Sequence, residues 1–265
     1  MEPISTTAAT IAAGAWFGNK LLGPTAEIIG EDLKQLYEKG KDRIVTNAIK
    51  KTKDIESVGQ TNLRVSRDVF WNGSFTDEAI CAEYFGGILA SSRSVDGKDD
   101  TGVFYVDIIK SLSSGQLKAH YILYRTLNKM LLGDATKVNL NPGLETELQN
   151  IEIFIPQKMG LLEQLGNEDL GAILHGLHSK KLIGDFETNN HKLENGISVP
   201  FIKYKPTALG IQLFSIANNM FSEWRKFSKT DFGDFPDIAL PPYYGNSIDL
   251  ILEQAGLKTK ANSLT

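Results

Sequence analysis

Between Leu161 and Ile216 the hydrophobic period of the chain changes twice, and that change limits the folds open to it. Leu161, Leu162 and Leu165 fit a short helix, Gly166 and Asn167 a tight turn, and Leu170, Ile173, Leu174 and Leu177 the apolar stripe of a second helix. From Phe186 to Tyr204 the pattern becomes a weak alternation, broken at Glu194, Asn195 and Gly196, which reads as a hairpin. Pro206 and Thr207 then open a helix through Leu209, Leu213 and Ile216, and the alternation of Ile151 to Ile155 offers a third strand. This is the element order of a winged helix-turn-helix, so an α+β module is expected here.

Upstream, the pattern is helical almost throughout. Thr6 to Leu22 reads as a small-residue helix broken at Gly23, and Pro24 opens a second one whose stripe is Ile28, Leu33, Leu36, Tyr37, Ile44 and Ala48. Lys50, Lys51 and Lys53 end it with positive charge suited to a helix C-terminus. Lys53 to Leu63 reads as a polar connection, and Thr76 as the cap of a helix carrying Ile80, Cys81, Tyr84, Phe85, Ile88 and Leu89. Inside that helix Gly86 and Gly87 predict the close approach of another helix. Ser91 to Thr101 reads as a loop, Gly102 to Leu112 as a short helix, and Ser113 as the cap of a longer one carrying Leu117, Tyr121, Tyr124, Leu127 and Leu131. The expected fold is therefore mainly α, with an N-terminal helical layer (residues 1–133) packed on a C-terminal winged-helix-like module (139–227). Residues 228–265 form an extended Pro- and aromatic-rich tail, anchored by Trp224, Phe227, Phe232 and Phe235, with a last helix over Ser247 to Ala255.

With a formal net charge of −4, the chain has no global positive field to draw in nucleic acid or anionic lipid. A single cysteine, Cys81, excludes an internal disulfide framework and a Cys-rich zinc site, and fits a reducing, cytoplasmic setting. Pro3 to Asn19 is uncharged but dominated by Thr, Ala and Gly, short of the ~20 strongly apolar residues of a bilayer span. A buried or interfacial helix is expected there, with membrane insertion as the alternative.

Three segments in order carry a family resemblance: Gly23-Pro24-Thr25-Ala26-Glu27-Ile28-Ile29-Gly30, then Thr76 to Ile80 leading into Phe85-Gly86-Gly87-Ile88-Leu89-Ala90, then Phe104 to Ser113. Together with Lys203 to Phe214, whose Thr207, Gly210 and Phe214 fit a closing T-x-x-G-x-x-x-F pattern, the chain resembles the bacterial abortive-infection alpha (Abi-alpha) family over about residues 14 to 220. The resemblance implies a mostly helical protein of prophages and mobile elements, acting against bacteriophage by harming or arresting the infected cell. It carries no catalytic residues over.

Nothing in the sequence nominates a catalytic group, a metal set or a cofactor site, and a non-enzymatic protein is expected. The second helix of the module starts Asn167-Glu168-Asp169, whose carboxylates suit a helix N-terminus but repel a phosphate backbone. Between Ile151 and Thr230 nine lysines and arginines stand against eight carboxylates, a net charge of +1, where duplex binding calls for a strongly basic face. The candidate interaction residues are His175, His178, Lys180, Lys181, Lys192, Lys203 and Lys205. A protein partner, a second copy included, is the leading expectation, with a membrane met on activation. Nucleic acid contacted through those lysines is the alternative. His175 and His178 sit three apart, a spacing open to two metal ligands, but without a third at a diagnostic distance they read as surface imidazoles. Asp96, Asp99 and Asp100 would be the carboxylates of a toxic metal-dependent nuclease, or simply a solvated loop.

Overall fold

The structure, a computed structural model, describes residues 31, 33–52, 59–76, 78–132, 140, 145–157, 164–165 and 168–257. The expected small-residue helix, Ile28 and Lys53 lie outside them, as do Leu161, Leu162, Gly166, Asn167 and Gly133. What is described is mainly helical with two small antiparallel sheets. In chain order come α1 (33–51), β1 (Gln60–Thr61), α2 (Leu63–Gly73), α3 (Ala79–Ser91), β2 (Arg93–Ser94), α4 (Gly102–Ile109) and α5 (Ser114–Leu131). A 3-10 turn (Glu145–Asn150) leads to β3 (Ile153–Pro156), α6 (Leu170–Ser179), β4 (Ile183–Lys192), β5 (Ser198–Pro206) and α7 (Ala208–Ala217). After a second 3-10 turn (Phe221–Lys226) an irregular segment runs to α8 (Ile248–Gln254).

The three-stranded sheet has the order β3-β5-β4. Tyr204 of β5 stands between Ile153 of β3 and Phe186 of β4, and the hairpin register runs out to Lys192 opposite Ser198. The strand expected at Ile151 to Ile155 thus joins the hairpin, two residues later than the alternation suggested. β1 and β2 pair Gln60 with Ser94, so the expected Ser91–Thr101 loop and the polar connection before Leu63 each contribute a short strand.

Helix α5 lies at the centre. Its stripe positions are buried, but so is every residue from Ala119 to Asn128. An amphipathic pattern anticipates one hidden face; here the polar residues of the opposite face are covered as well, each by a named partner save Thr126. Ser113 and Gln116 form a reciprocal capping box at its start. Arg125, almost wholly buried, is held by Asp231 at 2.8 Å and Asp234 at 2.7 Å. Asn128 Nδ2 donates to the carbonyls of Phe227 and Thr230. These bonds strap the tail to α5, and Phe235 stacks on Tyr121 with ring centroids 4.3 Å apart. Trp224, Phe227, Phe232 and Phe235 are all buried, so the tail wraps its own protein.

Local expectations elsewhere shift by small amounts with clear causes. Thr76 does not cap α3; its hydroxyl accepts from the Glu78 N–H one turn ahead, and Glu78 occupies the N-cap without a side-chain bond. Ser247 and Thr207 do cap, accepting from Leu250 N–H and Gly210 N–H. In α1 only the later half of the stripe, Ile44 and Ala48, reaches the core, whereas Leu33 is exposed.

The diglycine of α3 receives helices on two sides. A Cβ on Gly86 would lie 2.8 Å from Asn47 Cβ of α1, and one on Gly87 would lie 1.9 Å from the Ala217 carbonyl oxygen of α7. Lys51 completes this junction: its ammonium donates to the carbonyls of Glu83 (2.7 Å) and Ala217 (2.9 Å), pairs with the Glu83 carboxylate at 2.6 Å and sits 4.4 Å above the Phe235 ring. The cation does meet a helix C-terminus, but that of α7 and not of its own helix. Burial pulls the Lys51 ammonium below the ordinary lysine range, against the opposing pull of Glu83.

Gly87→Ala is expected to destabilise the protein by about 2 kcal/mol or more, because the new methyl meets backbone and cannot be accommodated by a side-chain rotation. A urea midpoint unchanged from the parent would refute that. Lys51→Met is expected to cost about 3 kcal/mol by leaving Glu83 buried without its cation, and Lys51→Met with Glu83→Gln to recover part of the loss. Additive losses in that pair, read by the same denaturation, would show that the two side chains do not act together.

Candidate interaction surface

Helix α6 and the β4–β5 hairpin carry every candidate interaction residue. Asp169 caps α6, its carboxylate accepting from Ala172 N–H at 2.9 Å, and Ile173, Leu174 and Leu177 bury the inner face. Glu168 serves a different helix: it accepts from Ser113 Oγ (2.6 Å) and from Gly115 N–H (3.1 Å), adding an acceptor at the N-terminus of α5. The two neighbouring carboxylates therefore stabilise two helix starts, one each.

His175 and His178 are exposed on α6 and both set ring edges toward Phe186 of β4, at 4.9 and 5.8 Å between centroids. His178 Nδ1 lies 2.9 Å from the Gly184 carbonyl, which can only accept, so Nδ1 carries the proton. The imidazoles flank an aromatic ring, and among the described residues no group of three His, Cys, Asp or Glu is placed to hold a metal ion. His191, on β4, stands opposite Val199 of β5.

The lysines divide into two sets. Lys203 and Lys205, on β5, face carboxylates of the neighbouring strands: Lys203 pairs with Glu187 at 2.9 Å and with Glu152 at 3.8 Å, and Lys205 with Asp185 at 3.5 Å. The hydrogen bond between Lys203 and Glu187 raises the ammonium's pKa and lowers the carboxylate's. These side chains line a hollow of about 200 Å³ with Phe186 and Tyr204 as its aromatic members. Lys180, Lys181 and Lys192 are exposed at its margins. Lys181 is also a structural pivot, with φ +58° and its carbonyl accepting from Thr207 Oγ1 at 2.8 Å. It turns the chain from α6 toward β4, a role its charge does not announce.

The acidic loop is occupied by local bonds. Asp96 accepts from Ser94 Oγ and Lys98 N–H, Asp99 from Thr101 N–H, and Asp100 meets Arg64 at 3.5 Å. Each carboxylate closes a turn or pairs across it, as Asp does in an Asx-turn.

Behind the surface lies a buried polar network with no sequence signature. His120 Nε2 stands 3.2 Å from the Gly210 carbonyl and so donates, which leaves Nδ1 to accept from Tyr84 OH at 2.6 Å. Tyr124 OH donates to the Leu182 carbonyl and accepts from Thr207 N–H at 3.0 Å, and Tyr204 OH donates to the Leu123 carbonyl at 2.6 Å. The network fastens α3, α5 and α7 to the α6–β4 junction and to β5, so it sets where the candidate surface stands on the helices. Comparison with protein-family models, curated proteins and solved structures finds no match for this chain.

Burial lowers the His120 pKa to about 3, against the helping bond from Gly210. The unfolded chain takes up this proton as pH falls through about 6.5, while the folded chain refuses it until about 3. Stability is therefore complete above that upper value and is lost below it, by up to ~1.4 kcal/mol per pH unit. Urea denaturation at pH 7 and pH 5 is expected to differ by about 2 kcal/mol in the parent, and by much less in His120→Gln. Equal pH dependence in the two proteins would remove His120 as the cause.

Proposed function

We propose that residues 139–227 act as a winged-helix-like module on a helical layer, and that the chain is a non-enzymatic antiphage effector or sensor working through protein contact. The winged reading is supported by the succession β3, α6, hairpin, α7 and by the pairing of β3 onto the second hairpin strand. The defence reading rests on the Abi-alpha resemblance of the segments from Gly23 to Phe214. The observation that carries protein contact over duplex binding is the cross-strand pairing of Lys203 with Glu187 and Lys205 with Asp185. A phosphate arriving there meets a carboxylate beside each ammonium, so little counterion release is available to drive association. The α6–hairpin face instead offers His175, His178 and Phe186 as a half-apolar surface with polar rims, the composition of a protein contact. No described helix is long and apolar enough to cross a membrane; action in the cytoplasm, with a membrane met on activation, remains part of this proposal.

Cells expressing the chain are expected to resist phage plating, and His175→Ala with His178→Ala to lose that resistance with an unchanged melting curve. Affinity capture from infected cells should recover a protein whose association survives nuclease treatment. Unaltered plating would end the defence reading. Capture that nuclease abolishes, together with salt-sensitive duplex binding lost on reversing Lys180, Lys181 and Lys192, would replace protein contact by DNA binding.

A further inference from the structure

Away from the hairpin, α2 presents a second surface. Its inner face buries Val65, Val69 and Gly73, while Leu63, Arg67, Trp71 and the following Phe75 point outward at four-residue spacing. Leu63 is 86 % exposed, Trp71 69 % and Phe75 42 %. The ring of Phe75 meets Trp71 edge-on at 5.9 Å and leans on Tyr37 of α1 at 5.4 Å, so the aromatic end of the ridge is already assembled. Asn62 fixes the other end, its side chain accepting from Arg64 and Val65 N–H at the first turn. A surface helix normally turns charge outward and apolar groups inward. This one carries large apolar groups on both faces, and contiguous apolar surface on the scale of a few hundred Å² marks a contact site.

We infer that this ridge is a homodimer interface, α2 packing antiparallel on α2 of a second copy about a two-fold axis beside Arg67. The spacing is self-complementary. Arg67 lies four residues from Leu63 and four from Trp71, so the antiparallel arrangement sets Leu63 against Trp71 of the partner subunit and repeats that contact on the other side of the axis. Charge matches as well: Arg67 is paired with its neighbour Asp68 at 2.7 Å, and across the axis each guanidinium also reaches Asp68 of the partner subunit. A lipid surface would favour a surplus of cations flanking the apolar row. Here Arg67 is balanced by Asp68 and Arg64 by Asp100, which favours a second copy over a bilayer. The interface is independent of the hairpin and stands whether or not that face contacts a protein. Its area is smaller than the ~800 Å² per partner of a standard interface, so the dimer is weak and forms in the micromolar range.

Sedimentation velocity of the full chain across that range should show a concentration-dependent shift from monomer to dimer. Trp71→Asp should weaken the dimer at least about tenfold while leaving the melting curve in place, since the side chain stands in solvent. In a Cys81→Ser background, Arg67→Cys placed at the axis should be joined between copies by a short bis-maleimide, and Asn195→Cys at the hairpin tip should not. A chain that stays monomeric overturns the proposal, whether the ridge instead takes up anionic vesicles, a foreign protein or the chain's own residues 1–30. So does a dimer that survives Trp71→Asp, or one in which position 67 fails to cross-link.

Discussion

The architecture depends on how closely α3 allows its neighbours to approach. Gly86 and Gly87 remove two side chains at adjacent positions, and the space they vacate is filled by backbone and Cβ atoms of α1 on one side and α7 on the other. At that distance the free carbonyls at the end of α7 are within reach of Lys51, whose ammonium joins Ala217, Glu83 and the ring of Phe235 in one cluster. The pair with Glu83 is nearly dry, and such a pair holds only when both charges keep all their partners. A wider helix spacing would separate them, and the tail would lose the cation above Phe235.

A second consequence concerns α5. Once α3 and α7 close around it, the helix has no solvent face through its middle, and its polar side chains must find partners inside. His120, Tyr124, Arg125 and Asn128 do so with groups from α3, the α6–β4 junction, α7 and the tail. Apolar packing alone tolerates many arrangements, whereas each of these bonds is directional and fails when its element moves by an ångström or two. The buried residues from Ile44 to Phe235 accordingly form one contiguous core, in which the helices and the three-stranded sheet are fastened to each other by polar contacts as well as by volume. The same bonds orient α6 and the hairpin, so the candidate surface inherits its position from the core.

On that surface, electrostatics is decided by strand register. Pairing Glu187 with Lys203 places opposite charges directly across two strands, and a one-residue slip would turn each lysine to the other face of the sheet. The hairpin can thus be rich in lysine without being cationic. The exposed row on α2 shows the converse, a helix whose apolar content exceeds what its own fold can cover.

Element identity was legible in the sequence wherever one hydrophobic period ran undisturbed. The stripes of α3, α5, α6 and α7, the hairpin, the strand before them, the anchors Phe227, Phe232 and Phe235, and the close helix approach at Gly86 and Gly87 all follow from local pattern, because period and side-chain size act over a few residues. Tertiary structure alone decided what the polar groups do. Lys51 reads as the cationic end of a helix and becomes a buried staple; Glu168 reads as belonging to α6 and serves α5; His120 has partners 36 and 90 residues away. A period records which face is hidden, but a hydrogen bond or ion pair is defined by whatever group the fold carries to within about 3 Å, and that information is spread over the whole chain.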